Sequence, residues 1–467
     1  MKMSQTMSKP RQFGREVTRP EQRFLAPPTS HISLVLRVRG DITKEALRNA
    51  VDRMLVTYPQ FGVRIRKTQD AVLCTTEGAA EVPIKMYERE DEASWLNALN
   101  EEHSIPVYHS KGPLTRLILV KDETTSELIL FCHHTICDGR SLELGLREVI
   151  LNLGDPSRTP PIMSEVPAHT PEVFPATFSK SRARSWLVSQ VNKKWDKERV
   201  TFDEEDIANL WEAFWKGSRY RVELVQLEKD ETDRFVQMCR ANGVTVNSAL
   251  IVAFVRARAD ALKPYEGKVK SVIAVDTRER LLIDAQDAVG LYAGGVKYDF
   301  DYKHNSPFWD NVRNLHKVIS KHLKDNDVFG PIYDQFLLDQ TLIDAMLFAE
   351  IGDLVEPHQS RYDKISTFVR NPGGLVSKYL KKTVGAAPHI VMTNLGRMGI
   401  PEEVEGIKID CAFFTPSSGL KMELALGVAT AGGRLTAAIN YHDAYFDHSN
   451  MARISRRARE LIGELTR

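Results

Sequence analysis

The sequence predicts an α/β protein of the α+β sandwich type, built from two related halves. The chain has 467 residues, whereas a single hydrophobic core stops growing at roughly 250–300 residues, so two domains are expected. Short apolar segments typical of strands alternate with segments of helical spacing in both halves. The last part of the chain also repeats a first-half pattern of strand, turn, strand, polar loop with His and Asp, and amphipathic helix.

The bulk composition is typical of a globular protein and points to no special partner. Hydrophobic residues make up 42% of the chain and charged residues 27%. The 63 basic and 62 acidic residues leave a net charge of +1, which gives no support for a nucleic-acid or anionic-membrane partner. Five cysteines without a CxxC pair predict neither a disulfide framework nor a structural zinc site. The polar start and the lack of a long apolar run predict a cytoplasmic protein without a membrane span.

In the first half, a series of predicted elements leads to one polar loop. Residues 32–38 are short, apolar and β-branched, which predicts a strand, and residues 41–57 carry apolar residues at helical spacing. The elements that follow are a strand pair, a helix and a hairpin, predicted at 61–66 with 71–75, at 92–102, and at 115–120 with 127–132. The loop is HHTICDG at residues 133–139, and residues 141–153 predict the helix after it.

A proline-rich stretch separates the two halves. Six prolines between residues 156 and 175 break any regular element. We therefore expect an N-terminal subdomain at residues 1–180, a linker with a basic surface helix at 181–215, and a C-terminal subdomain at 216–467. Strands of the second half are predicted near 220–227, 269–275, 291–298 and 389–393, and helices at 231–241, 246–262, 305–324, 332–350 and 449–465.

The internal repeat predicts that only one half carries a complete site. Aligning Asp447 with Asp138 places His442 opposite His133 and Asp443 opposite His134. The alternative is that the two stretches are unrelated hairpin–helix units, because such units look alike in many α/β proteins.

A helical insertion is expected near residues 326–382. Its segment FLLDQTLIDAMLFAEIG is strongly apolar on one face. This pattern predicts either a lid over a lipophilic pocket or an amphipathic helix packed on the core, and the packed helix is the more common case.

Three kinds of chemistry could use the residues of HHTICDG. A metal site would need His133 and His134 on one ion, but adjacent residues of an extended strand point to opposite faces. A Ser-His-Asp hydrolase often carries GxSxG, which is absent here; a nucleophile elsewhere or Cys137 stays open, although a buried thiol is the plainer interpretation of Cys137. The third is a single histidine acting as general base on a hydroxyl, amine or thiol, because neutral imidazole has a suitable pKa near neutral pH.

The run HHTICDG resembles the HHxxxDG motif of the chloramphenicol-acetyltransferase-like superfamily, which includes condensation domains, polyketide-associated acyltransferases and alcohol acetyltransferases. Other segments resemble the family in the same order along the chain. They are the opening strand and helix that end at Tyr58-Pro59, VIAVDTRER, VGLYAGGV and VMTNLG. The plant-type DFGWG motif is absent, which argues against the plant branch. The resemblance implies two subdomains in a V, with a tunnel through their interface.

The resemblance also implies roles for individual residues. His134 would be the general base, and His133 would orient the loop. Asp138 would form a structural salt bridge with Arg278, with Arg280 as the less favoured partner.

Four further residues belong to the predicted site. Gly139 is expected to allow a backbone angle that a side chain would oppose. Candidates for contacts to an oxyanion or to the substrate are Asn394, Ser417 and Ser418. A plain turn residue is an equal alternative for Asn394.

The implied activity is condensation-type transfer of an acyl group from a CoA thioester to a hydroxyl or amine of a small molecule. One alternative is a carrier-protein-dependent condensation enzyme, which takes its acyl group from a phosphopantetheine thioester and forms an amide or ester. Another is a catalytically silent binding module. The expected partners are the acyl acceptor and the acyl thioester, with a carrier protein in the first alternative. We expect a monomer with no metal, no bound cofactor and no nucleic-acid partner.

Overall fold

A computed structural model describes residues 11–165, 167–351, 363–383, 387–417, 419 and 422–466. The strands in these ranges are β1 (Gly14–Glu16), β2 (His31–Arg39), β3 (Arg64–Lys67), β4 (Val72–Thr75), β5 (Ile84–Glu88), β6 (Thr115–Lys121), β7 (Thr125–His133), β8 (Tyr220–Leu227), β9 (Gly267–Asp276), β10 (Ala293–Tyr302), β11 (Ile390–Arg397), β12 (Glu403–Val404), β13 (Ile407–Thr415), β14 (Leu424–Ala431) and β15 (Arg434–His442). The helices are α1 (Arg19–Gln22), α2 (Lys44–Thr57), α3 (Ser94–Ser104), α4 (Gly139–Gly154), α5 (Arg182–Trp195), α6 (Glu204–Gly217), α7 (Lys229–Ala241), α8 (Val246–Ala261), α9 (Phe308–His322), α10 (Asp325–Leu337), α11 (Gln340–Ile351), α12 (Asp363–Arg370), α13 (Gly373–Thr383) and α14 (His448–Leu465).

The first sheet carries the HHTICDG loop. Its strand order is β12-β13-β2-β7-β6-β5, so β2 and β7 form its centre. These two strands run antiparallel, with His31 opposite His133 and Arg39 opposite Thr125. Nearly every residue of both strands is buried, because α2 and α4 pack on one face while α3 and part of β8 pack on the other. The loop therefore extends from a strand that is held on both faces.

The second sheet has the order β10-β9-β11-β14-β15-β8. Its strand β11 runs parallel to both β9 and β14, whereas the other pairs are antiparallel. Helices α8, α9 and α14 bury their apolar faces against it. Two mixed layers of helix and sheet confirm the predicted fold class.

One strand from the second half of the chain belongs to the first sheet. Strand β13 pairs antiparallel with β2, with Thr415 opposite Ser33 and Lys408 opposite Arg39. By sequence these residues fall in the predicted C-terminal subdomain, because strand pairing over 369–382 positions leaves no local pattern. The division at residues 180 and 215 stays a prediction, but the two halves are interleaved at β13.

The predicted linker at 181–215 is mostly helical. It holds α5, which was predicted, and most of α6, which was not. Helix α6 packs on the first half: the Trp211 indole donates to the carbonyl of His103 at 2.7 Å, and the Trp215 indole donates to that of Pro28 at 3.2 Å. The capping box formed by Asp203 and Asp206 could have revealed this helix from the sequence.

The internal repeat is present in the structure. The hairpins β6–β7 and β14–β15 are each followed by a helix, α4 or α14. Asp138 and Asp447 both cap these helices, and His133 and His442 both end the preceding strand. Asp443, which stands opposite His134, accepts from the Arg219 backbone N–H at 2.7 Å. The second unit therefore has a carboxylate where the first has an imidazole.

The insertion packs on the hydrophobic core that also contains the apolar residues of β2 and β7. The prediction of one continuous helix at 332–350 is wrong, because α10 ends at Leu337 and α11 begins at Gln340. The Asp339 carboxylate accepts from the Thr341 N–H and so caps the start of α11. Leu342 and Phe348 of α11 are fully buried, and the Phe348 ring stacks on that of Phe202 at 3.7 Å. These contacts favour the packed helix over the lid; residues 352–362 lie outside the described ranges.

Within the described residues, no single helix has the length and apolar character needed to cross a membrane. A bent pair of helices, Lys229–Ala241 with Val246–Ala261, meets that test only jointly and by length and composition alone.

Candidate active site

The HHTICDG loop joins β7 to α4 and is held by backbone hydrogen bonds at its start. His133 is the last residue of β7, and its N–H donates to the carbonyl of Leu114 at 2.9 Å. The N–H of His134 donates to the carbonyl of Ser30 at 2.8 Å. These bonds fix the backbone at the start of the loop, and separate contacts set the orientation of the His134 side chain.

The His134 ring is fixed in the tautomer that a general base needs. Its Nδ1 lies 2.7 Å from the carbonyl oxygen of Cys137. A carbonyl can only accept, so Nδ1 carries the proton and Nε2 keeps a free lone pair. Burial lowers the pKa of His134 to about 4, the Arg23 charge lowers it further, and the bond to Cys137 opposes the shift. The imidazole is therefore neutral at physiological pH and able to take up a proton.

Asp138 and Arg278 form a bidentate ion pair between the two halves of the chain. Arg278 Nη1 lies 2.9 Å from Asp138 Oδ2, and Arg278 Nη2 lies 2.9 Å from Oδ1. Both side chains are almost fully buried, at 3% and 2% exposure. Burial alone would raise the pKa of Asp138, but Arg278 and the surrounding N–H donors outweigh it and hold that pKa below its usual range.

Two residues that the sequence analysis missed complete this ion pair. The Ser141 hydroxyl donates to Asp138 Oδ1 at 2.8 Å, and the Tyr292 N–H donates to Oδ2 at 2.9 Å. Ser141 also accepts from the Gly290 N–H at 3.1 Å, which links α4 to the second half a second time. Tyr292 lies in VGLYAGGV, a segment that the family resemblance had already marked.

Arg280, the less favoured partner for Asp138, lies elsewhere. Its Nη1 donates to the carbonyl of Leu323 at 2.8 Å and to Asp325 at 3.1 Å, at the start of α10. Of the two arginines considered from the sequence, Arg278 is therefore the one that contacts the loop.

Gly139 is required because a side chain would not fit at this position, and not, as predicted, because of its backbone angle. It is the first residue of α4 and is not among the glycines with positive φ. A Cβ atom at this position would lie 2.6 Å from Leu395 Cδ2 and 3.0 Å from the Phe414 ring. The glycine thus lets the motif approach β11 and β13 closely.

His133 belongs to a cluster of buried histidines behind the loop. Its Nε2 lies 3.4 Å from His109 Nε2, and its ring packs edge-on against His31 at 5.2 Å. His31 in turn packs edge-on against His103 at 5.8 Å. Among the described residues, no group of three or more His, Cys, Asp or Glu side chains is arranged to hold a metal ion. The proposed orienting role of His133 stays a prediction.

This histidine cluster predicts a loss of stability in mild acid. Burial lowers the pKa of each member, to about 4 for His109 and well below 6.5 for His31, His103 and His133. The unfolded chain therefore binds more protons than the folded chain below pH 6.5, so stability falls as the pH falls. We expect the free energy of unfolding, measured with urea, to drop by more than 2 kcal/mol between pH 6.5 and 5, because each lowered pKa contributes about 1–2 kcal/mol there.

The histidine origin of this loss can be isolated. Few carboxylates titrate between pH 6.5 and 5, and His109→Phe, which removes one titrating ring, should flatten the pH dependence. A free energy of unfolding that stays constant over this range would contradict the prediction.

Cys137 is buried and has a poorly reactive thiol. Burial raises its pKa well above the usual thiol value, and its Sγ lies 3.7 Å from the carbonyl oxygen of His133. A thiol that resists ionisation is a poor nucleophile. These facts favour the structural interpretation of Cys137.

The three oxyanion candidates differ in their surroundings. Asn394 Nδ2 donates to Asn247 at 2.6 Å, and its Oδ1 accepts from the Gly396 N–H at 2.7 Å. Asn247 belongs to α8, whereas the neighbouring Leu395 faces Gly139 of the motif. These contacts favour the turn alternative for Asn394.

The two serines follow β13 in the sequence. Ser417 follows Thr415, which is opposite Ser33, so it lies near the end of the first sheet that carries His133. Ser418 lies outside the described residues. The oxyanion role of Ser417 stays a prediction, as does the interface tunnel.

Comparison with known proteins agrees with this fold. The family model "Condensation domain" matches residues 22–166, which include the motif. Among curated proteins, no sequence matches the chain. The match covers the segment that carries the HHTICDG motif, so this part of the chain resembles condensation domains.

Solved structures share this fold over nearly the whole chain. Polyketide synthase associated protein 5 from Mycobacterium tuberculosis is 15% identical with a TM-score of 0.58, covering 96% of this chain and 98% of that one. Trichothecene 15-O-acetyltransferase from Fusarium sporotrichioides is 14% identical with a TM-score of 0.61, covering 98% and 96%. The first condensation domain of the CDA synthetase is 13% identical with a TM-score of 0.61, covering 98% and 97%.

Proposed function

We propose that the chain is a condensation-type acyltransferase that moves an acyl group from a CoA thioester to a hydroxyl or amine of a small molecule, with His134 as general base. The observation that carries this proposal is the state of the His134 ring. Its Nδ1 donates to the Cys137 carbonyl, which leaves Nε2 unprotonated, and its pKa of about 4 keeps it neutral at physiological pH. A neutral imidazole at the interface of two halves suits proton removal from a bound acceptor.

The reaction would follow from this geometry. Nε2 of His134 takes the proton of the acceptor hydroxyl or amine as the acceptor attacks the thioester carbonyl. The tetrahedral intermediate then collapses, the C–S bond breaks, and the imidazolium returns the proton to the leaving thiolate. General acid–base catalysis of this kind contributes about 10²–10⁴-fold. Holding both substrates in line between the two halves would supply much of the remainder.

Asp138 acts as a positioning residue in this mechanism. Both of its oxygens are occupied by donors from Arg278, Ser141 and Tyr292. The group that fixes the His134 tautomer is instead the Cys137 carbonyl. Asp138 would hold the loop and α4 against the second half, which keeps His134 in register with the acyl donor.

The nature of the donor is the next part of the proposal. The similar structures include both an acetyltransferase and condensation domains of synthetases, so CoA and carrier-protein thioesters are the two classes to compare. We propose CoA as the donor and a carrier protein as the alternative. We also propose, from composition, that the protein works as a cytoplasmic monomer.

Thiol release separates these possibilities. The purified protein is incubated with an acyl-CoA or with the same acyl group on a carrier-protein phosphopantetheine, in the presence of a mixture of amines and alcohols. We expect thiol release and an acylated product with acyl-CoA. Turnover with the carrier thioester alone would reject the CoA assignment, and no release from any donor would favour a silent binding module.

A further inference from the structure

Arg23 lies beside the candidate base and is a cation without an acidic partner among the described residues. It follows directly after α1, and its Cζ lies 4.5 Å from the centroid of the Phe24 ring. The same Phe24 ring lies 4.2 Å from the centroid of the His134 ring. Within the part of the chain that the structure describes, the Arg23 guanidinium makes no ion pair or hydrogen bond.

The nearby carboxylates are already committed to other cations. Glu21 binds Arg15 through both oxygens, at 2.6 and 2.8 Å, and also accepts from the Thr18 N–H at 2.8 Å. Asp138 likewise forms a bidentate ion pair with Arg278. Neither carboxylate is available to balance the charge of Arg23.

An unpaired guanidinium in this position costs free energy of folding unless an anionic ligand binds to it. Charged side chains are withdrawn from water at low cost only when they are paired. Burial lowers the pKa of Arg23 to about 10, so the group stays charged at neutral pH. Its side chain is only partly buried, which leaves it open to a solute. The site is therefore suited to an anion.

We propose that Arg23 binds a carboxylate of the acyl acceptor, close to the hydroxyl or amine that His134 deprotonates. This inference rests on the proposed function, since it names the class of acceptor. A guanidinium matches a carboxylate with two parallel, charge-assisted hydrogen bonds. The phosphates of an acyl donor fit less well, because the pantetheine arm separates them from the thioester while Arg23 and His134 contact the same ring. The acceptor would be an amino acid or a hydroxy acid.

Binding of this carboxylate would also affect the base. The Arg23 charge contributes to the low pKa of His134. An anion on Arg23 cancels part of that charge, so the pKa of His134 should rise toward neutrality when the acceptor is bound. A stronger base would then be present only when there is an acceptor to deprotonate.

Matched probes test the site without knowledge of the natural acceptor. Dissociation constants are measured by ligand-observed NMR at pH 7.5 for acetate, benzoate and hexanoate, each paired with its neutral amide. In the unaltered protein, at least one carboxylate should bind about tenfold or more tightly than its amide. Arg23→Gln should lose this preference, and Arg23→Lys should keep part of it. Arg19→Gln, on the exposed side of α1, is the matched control and should keep all of it.

The outcomes separate this inference from the proposed function. Equal affinity for carboxylate and amide in all three pairs, or an unchanged preference in Arg23→Gln, would overturn the inference. A carboxylate preference without thiol release from any donor would reject acyl transfer and keep the anion site. The preferred carboxylate should compete with the acceptor in steady-state kinetics; competition with the thioester alone would place the anion on the acyl group and overturn the acceptor assignment.

Discussion

Replacing His134 with alanine is expected to lower kcat/KM by about 10²–10⁴-fold, the usual contribution of general acid–base catalysis. The change removes the ring whose Nε2 would accept the acceptor proton. The stability cost should be small, because the ring is only partly buried and makes a single hydrogen bond to the Cys137 carbonyl. We expect the free energy of unfolding to change by about 1 kcal/mol or less. Steady-state kinetics give kcat/KM, and urea unfolding of the same preparation gives the free energy of unfolding.

A control variant and a pH profile sharpen this test. His448 has 61% of its side chain exposed and lies at the start of α14, so His448→Ala should leave the kinetics unchanged. In the unaltered protein, kcat/KM should be level through neutral pH and fall only in acid, since the active form of His134 is the neutral one and its pKa is about 4. Activity of His134→Ala within about threefold of the parent would refute the mechanism.

Replacing Arg278 with methionine is expected to destabilise the fold by about 3–5 kcal/mol, the usual cost of leaving one partner of a buried ion pair alone. Asp138 would remain 3% exposed with its charge no longer balanced by the guanidinium. Because Arg278 helps to hold the pKa of Asp138 below its usual range, the pair stabilises the fold at neutral pH, and this contribution is lost as the pH falls through that lowered pKa. Urea unfolding at pH 7 measures the loss.

A double replacement shows whether the loss of stability in Arg278→Met comes from the unpaired charge of Asp138. Arg278→Met with Asp138→Leu removes both charges and should be less destabilised than Arg278→Met alone, although Ser141 and the Tyr292 N–H then lack an acceptor. Arg280→Met is the control, because its pair with Asp325 is more exposed and should be worth less than about 1 kcal/mol. A double variant no more stable than Arg278→Met would contradict the ion-pair explanation.

The parts of the fold with local patterns could be predicted from the sequence. The hairpin β6–β7 and helix α4 carry apolar residues at the spacing of strand and helix, and Asp138 stands at a typical capping position. The pairing of Asp138 with Arg278 spans 140 positions and was predicted only through the family resemblance. Residues that act through three-dimensional contact alone, such as Ser141 and Tyr292, left no periodic signal.

Other features needed the structure for a related reason. The motif glycine was predicted for its backbone freedom, whereas its actual constraint is the approach of Leu395, which lies 256 positions away. The placement of β13 in the first sheet depends on a partner strand near the start of the chain. A single sequence carries no record of such distant neighbours, so patterns with periods of two or 3.6 residues cannot reveal them.

The interleaving of β13 also limits how the molecule can move and be divided. Strand β13 lies between β12 and β2 in the first sheet, and the next strand along the chain, β14, belongs to the second. Because β13 is hydrogen-bonded to β2, its residues belong with the first sheet in any movement that keeps this ladder intact. A fragment that ends near residue 215 would expose the unpaired edge of β2, a surface prone to aggregation. The HHTICDG motif lies in the first half, but the sheet that carries it is completed by a strand from the second half.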